Sequence, residues 1–167
     1  VLYGASMASQ TTAAATGAVG VLRRDPMAML PFCGYNICDY FGHWLTMTEC
    51  VPVLPKVFSV NWFRQDESGK YIWPGFAANI HAIKWISERV SGAVDVETTP
   101  VGNLPVRKDL TLEDVDISEA AIELLTSVDK AAWMIEVDAI AAYFTSLGET
   151  VPKELRDRLD VIKSALG

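Results

Sequence analysis

Apolar and polar residues change rhythm along this chain, and the changes mark out its elements. Lys56 to Phe63 alternates and is rich in β-formers, which predicts a strand. Asp66 to Gly69 reads as a polar turn, and Lys70 to Trp73 as a second short strand ended by Pro74-Gly75. From Asn79 the period lengthens. Ile80, Ile83, Ile86 and Val90 recur at helical steps, with Asn79 placed to cap the start and Gly92 to stop the helix. Trp133, Val137, Ile140, Phe144 and Leu147 form another helical stripe, closed by Gly148. Pro152 opens a last helix with Leu155, Leu159, Ile162 and Leu166 on one face.

The first third is less regular. Val1-Leu2-Tyr3-Gly4 reads as the end of a strand already under way, so the chain reads as a section of a longer protein. Thr11 to Val21 is rich in Ala, Thr and Gly and has no apolar stripe, which predicts a mobile surface loop with short helical turns. Asp25 to Gly34, with Pro26 and Pro31, is a loop, and Asn36 to Met47 is a helix presenting Tyr40, Trp44 and Met47 on one face. Residues 94–117 read as extended or irregular. The predicted class is α/β: a mixed sheet with flanking helices and a helical C-terminal tail. The expected parts are residues 1–106 and a tail over residues 107–167.

Composition narrows the possible functions. Half of the 167 residues are hydrophobic, enough for a core and too much for a disordered chain. No apolar run approaches the roughly 20 residues of a membrane helix, so no membrane partner is expected. Residues 107–167 hold 13 acidic and 7 basic side chains, against 8 and 7 in residues 1–106. Such a tail argues against nucleic acid, which needs clustered Lys and Arg. Cys33, Cys38 and Cys50 are an odd set without zinc-type spacing, which points to a reducing, cytoplasmic setting and to no metal site. Arg23 and Arg24 read as surface charge.

The densest chemistry runs from Asn61-Trp62-Phe63-Arg64 to Tyr71-Ile72-Trp73-Pro74-Gly75-Phe76-Ala77-Ala78-Asn79, with five aromatics in the 16 residues 61–76. Two short strands and a turn can hold flat rings around an open slot, and a base stacked there gains about 1–3 kcal/mol. Asn79 offers a donor and acceptors to the edge of such a base. On spacing alone, rings that simply fill a core are the stronger reading.

These strings, with Asp25-Pro26-x-Ala28-Met29-x-Pro31-Phe32-x-Gly34-Tyr35-Asn36 and Thr12-Ala13-Ala14-Ala15, resemble the GTP-dependent phosphoenolpyruvate carboxykinases in order and spacing. The resemblance is strong through Asn79 and weak in the helical tail, and it implies the final section of that enzyme's nucleotide-binding domain. It implies that Phe63, Tyr71, Phe76 and Asn79 hold guanine, with Tyr71 standing where a phenylalanine is common. It implies that Thr11, Thr12, Ala13, Ala14, Ala15, Thr16 and Gly17 belong to a mobile active-site lid. Several relatives carry Arg where this chain has Ala8 and His where it has Gly17, so docking contacts of those side chains do not transfer.

The whole enzyme would convert oxaloacetate and GTP to phosphoenolpyruvate, CO2 and GDP in gluconeogenesis, with Mn2+ and Mg2+. The resemblance places the phosphate loop, metal ligands and carboxylate-binding groups in an N-terminal part not found in this sequence. Gly69-Lys70 is followed by Tyr71 rather than Ser or Thr, so it is no phosphate cradle. This section alone is therefore expected to be inactive. A pyrophosphate-dependent relative would not need the rings and Asn79. A stand-alone nucleotide-binding or protein-interaction module would bind guanine nucleotide without turnover.

Overall fold

The computed structural model describes residues 1–10 and 21–167. The segment assigned to a lid, Thr11–Gly17, falls outside the described residues. Among the described residues the fold is mixed α/β: helices with two two-stranded antiparallel sheets. It divides into two compact units, residues 1–54 with 130–167, and residues 55–129.

The first unit starts with a single helical turn, α1 (Leu2–Ser6), and not with the expected strand end. Ala5 and Ser6 are buried, and the Ser6 hydroxyl donates to the Leu2 carbonyl. Strands β1 (Ala8–Gln10) and β2 (Leu22–Arg24) pair antiparallel, Ala8 opposite Arg24 and Gln10 opposite Leu22. Two 3-10 turns follow, Pro26–Ala28 and Leu30–Phe32. Asp25 is buried ahead of them. Its carboxylate accepts from Arg23 and from the Leu30 N–H, both at 3.2 Å. This residue of the quoted string is therefore an anchor for the turns.

Helix α2 (Ile37–Cys50) is capped by Asn36, whose side chain accepts from the Cys38 N–H at 2.9 Å. Its buried residues are Ile37, Cys38 and Phe41, a face offset by one position from the expected Tyr40, Trp44 and Met47. Tyr40 and Trp44 are left half-buried and Met47 exposed. Phe41 is 0% exposed and meets Trp44 at a ring separation of 5.5 Å. Phe41→Ala is expected to destabilise this unit by about 3–5 kcal/mol, seen as a lowered urea midpoint of the enzyme carrying it.

Residues 130–167 keep their predicted stripes. Helix α5 (Lys130–Ser146) buries Val137, Ile140 and Phe144, and Gly148 follows at φ 80°. Helix α6 (Lys153–Leu166) buries Leu155, Leu159, Ile162 and Leu166, and it packs on α5. Arg24 is not surface charge. Its guanidinium is 12% exposed and meets Glu136 of α5 at 2.7 Å and the Ser6 carbonyl at 2.8 Å.

The second unit departs most from the alternating pattern. Lys56–Phe63 is not a strand, and the predicted strand Lys70–Trp73 is reduced to one bridge, Gln65 to Tyr71. A strand needs a ladder partner, and Val57 instead points into solvent at 88% exposure. Lys56 ties the stretch down by donating to the Arg89 and Val90 carbonyls at 2.7 and 3.2 Å. Helix α3 (Asn79–Ser91) ends at Gly92 in the left-handed region, as its sequence predicts. Its buried residue is Trp85, packed edge-on against Phe58, whereas Ile80, Ile83 and Val90 are exposed. Within residues 94–117, β3 (Val96–Thr99) and β4 (Gly102–Pro105) form a hairpin. Helix α4 (Glu119–Thr126), which the apolar pattern did not disclose, is capped by the Ser118 hydroxyl accepting from the Ala121 N–H.

Candidate functional site

The aromatic segment is built around a hydrogen-bonded turn. The Asp66 N–H donates to the Lys70 carbonyl at 2.9 Å, and Gly69 takes the left-handed backbone, φ 81°, that the turn requires. The Asp66 carboxylate accepts from the Ser68 N–H, the Ser68 hydroxyl and the Lys70 N–H, at 2.9, 2.6 and 3.0 Å. One donor beyond it, the Ile72 N–H reaches the Arg64 carbonyl at 2.9 Å. These bonds set Phe63 and Tyr71 side by side, ring centroids 5.9 Å apart and planes at 67°.

The Ser68 hydroxyl, followed by the Lys70 N–H, holds the Asp66 carboxyl below its ordinary value of 3.8. A depressed folded value means that this contribution is present above the unfolded value and is lost as pH falls through the folded one. In an acid titration followed by NMR, Asp66 should show a midpoint below 3.8, and Ser68→Ala should raise it. A midpoint unmoved by that substitution would mean that the hydroxyl does not hold the turn.

Pro74-Gly75 then redirects the chain. Gly75 sits at φ 123°, a conformation that side-chain-bearing residues rarely adopt. It leads into the 3-10 turn Phe76–Ala78, which runs directly into α3. Phe76 projects from this turn at 92% exposure, while Phe63 and Tyr71 are 70% and 55% exposed. Among the described residues these three rings fill no core. The half-buried rings of the segment are instead Trp62 and Trp73, packed on one another at 5.7 Å. Phe63 and Tyr71 are brought together, while Phe76 makes no ring contact with them among the described residues.

Asn79 does not cap α3. It is the first residue of the helix, with helical dihedrals and Ala78 ahead of it, so its side chain is free of the backbone. The Asn79 Oδ1 accepts instead from Trp73 Nε1–H at 2.8 Å. Sequence reasoning missed Trp73. The available signal was its position six residues before Asn79 across a Pro-Gly turn, since such turns bring their flanks together.

Among the described residues, no three His, Cys, Asp or Glu side chains are grouped to hold a metal ion, and no helix is long and apolar enough to cross a membrane. Gly69-Lys70 lies in the turn described above and not in a strand-to-helix phosphate loop.

The segment thus carries three exposed rings and an amide held by an indole, on a mixed α/β frame. Residues 1–165 match the family model described as "Phosphoenolpyruvate carboxykinase C-terminal P-loop domain". The chain belongs to the GTP-dependent phosphoenolpyruvate carboxykinase family. It is 47% identical over 169 residues to "Phosphoenolpyruvate carboxykinase [GTP]" of Neocallimastix frontalis, covering 99% of this chain. Identity to the proteins of that name from Paenarthrobacter aurescens and Chlamydia trachomatis is 44% and 45%, covering 100% and 99% of this chain. The chain spans 28% of the length of each of these relatives.

Proposed function

We propose that this chain is the guanine-binding and lid-bearing section of a GTP-dependent phosphoenolpyruvate carboxykinase. The observation that carries the reading is the trio Phe63, Tyr71 and Phe76, left exposed on the same short segment as Asn79. Burying a phenylalanine gains about 1.5–3 kcal/mol, so rings left in solvent on a hydrogen-bonded frame favour a planar ligand as their partner. The relatives' printed name, with GTP in it, supports guanine as that ligand.

The reaction proposed for the whole enzyme starts from oxaloacetate. The bond to the departing carboxylate breaks, its electron pair stays as an enolate, and CO2 leaves. The enolate oxygen then takes the γ-phosphoryl group of GTP, giving phosphoenolpyruvate and GDP. The described residues provide no cluster for Mn2+ or Mg2+, so we assign the metal ligands and the phosphate loop to the rest of the enzyme. Residues 1–167 then form one section of its nucleotide-binding domain, working in the cytoplasm.

The lid reading rests on the sequence of Thr11–Gly17. It is supported by the pairing of Gln10 with Leu22, which brings the two strands flanking the segment together. A loop anchored in this way can order over a site at a small entropic cost.

The test compares two proteins. The enzyme carrying this chain should turn over oxaloacetate with GTP and manganese, and residues 1–167 alone should show no turnover. Activity of the isolated chain, purified from a host lacking the enzyme, would sink this division of labour.

A further inference from the structure

An asparagine amide recognises opposite chemistries with its two ends, so a site that relies on one must prevent it from flipping. In this chain, the Trp73 Nε1–H donates to Asn79 Oδ1 at 2.8 Å. An indole N–H is a donor only, so it accepts the oxygen end of the amide and rejects the NH2 end. The indole is itself restrained, half-buried and packed on Trp62 at 5.7 Å with planes at 46°. It also precedes Pro74, whose fixed backbone limits the freedom of the turn. With the oxygen end fixed toward the indole, the NH2 group is the end of the Asn79 amide left to donate to a ligand.

We propose that Trp73 is a positioning residue that sets base choice: by locking the Asn79 amide it selects a 6-oxopurine over a 6-aminopurine. At position 6 a 6-oxopurine offers an acceptor to that NH2 group, whereas a 6-aminopurine meets it with a donor, so the selection is exerted where the amide faces position 6 and not N1. Only a flipped amide could bond the amino group, and the indole opposes the flip. The inference rests on reading Phe63, Tyr71, Phe76 and Asn79 as a purine site. It adds that selectivity resides in Trp73, which reads no base itself.

The experiment uses the whole enzyme and measures dissociation constants for GTP, ITP and ATP. Trp73→Phe keeps a ring against Trp62 and removes the N–H. Site-specific replacement of Trp73 by benzothienylalanine, with sulfur in place of N–H, does the same at nearly constant shape and serves if the phenylalanine variant fails to fold. Either variant should lower the GTP:ATP preference at least fivefold, with ITP following GTP. In an Asn79→Ala background the same replacement should leave the preference unchanged, because there is no amide left to orient. An unchanged GTP:ATP preference in the Trp73 variants, beside a lowered one in Asn79→Ala, overturns the inference and leaves the purine site standing. Unchanged affinities for all three nucleotides in both Trp73 and Asn79 variants overturn the purine site, and the inference with it.

Discussion

Shortening the segment Thr11–Gly17 in the whole enzyme is expected to divert oxaloacetate from phosphoenolpyruvate to pyruvate. An enolate released by decarboxylation is basic, and water that reaches it supplies a proton before phosphoryl transfer can occur. Closing a loop over the site removes that water and completes the transfer geometry. Composition also matters. An alanine loop samples fewer open states than a glycine loop, so each Ala→Gly change raises the cost of closure by about 0.4–1 kcal/mol. Ala14→Gly should therefore lower phosphoenolpyruvate output several-fold, with little change in GTP affinity for the open enzyme. The shortened loop should abolish most of the output while decarboxylation continues. Both products are measured from the same oxaloacetate. Parental phosphoenolpyruvate output with no extra pyruvate would show that the segment is no lid.

Asn79→Ala is expected to weaken GTP binding and to relax base choice, while Phe76→Ala weakens every purine nucleotide alike. The two side chains do different work. In the proposed site the Asn79 amide supplies directional bonds to the base, and a neutral hydrogen bond is worth about 1 kcal/mol net. Losing one or two of them costs about 5- to 30-fold in GTP affinity and removes the penalty against a mismatched edge. In the proposed site the exposed ring of Phe76 supplies stacking, which every base satisfies, and its loss should cost about 1–3 kcal/mol, or roughly 5- to 150-fold. The check is a panel of GTP, ITP and ATP affinities for both variants. Equal GTP and ITP affinities to the parent in Asn79→Ala would refute its role, and a GTP-only defect in Phe76→Ala would refute stacking.

Several structural jobs in this chain belong to residues whose sequence context suggested something else. Arg24 and Asp25 flank the end of β2, and both are spent on holding the first unit together. Arg24 does so through Glu136, which lies 112 positions away. No local pattern reports a bond of that span. Asn79 has the residue type of a helix cap but stands one position inside the helix, and its oxygen is taken by an indole across the Pro-Gly turn.

The sequence by itself determined the elements whose evidence is local and repeated. The stripes of α5 and α6, the glycine stops at Gly92 and Gly148, and the turn at Asp66 to Gly69 follow from residues within a few positions of one another. It also carried the family, because long strings of unusual composition occur in order. Tertiary structure alone decided which apolar residues are buried. Phe41 rather than Tyr40, and Trp85 rather than Ile83, enter the core, because burial depends on what stands opposite each face. It decided that Lys56–Phe63 is no strand, since alternation permits a ladder and only a partner makes one. It decided, finally, that Phe63, Tyr71 and Phe76 are exposed while Trp62 and Trp73 of the same segment lie half-buried. An aromatic ring gains by leaving water wherever it can, so composition could not tell a filled core from an open base site.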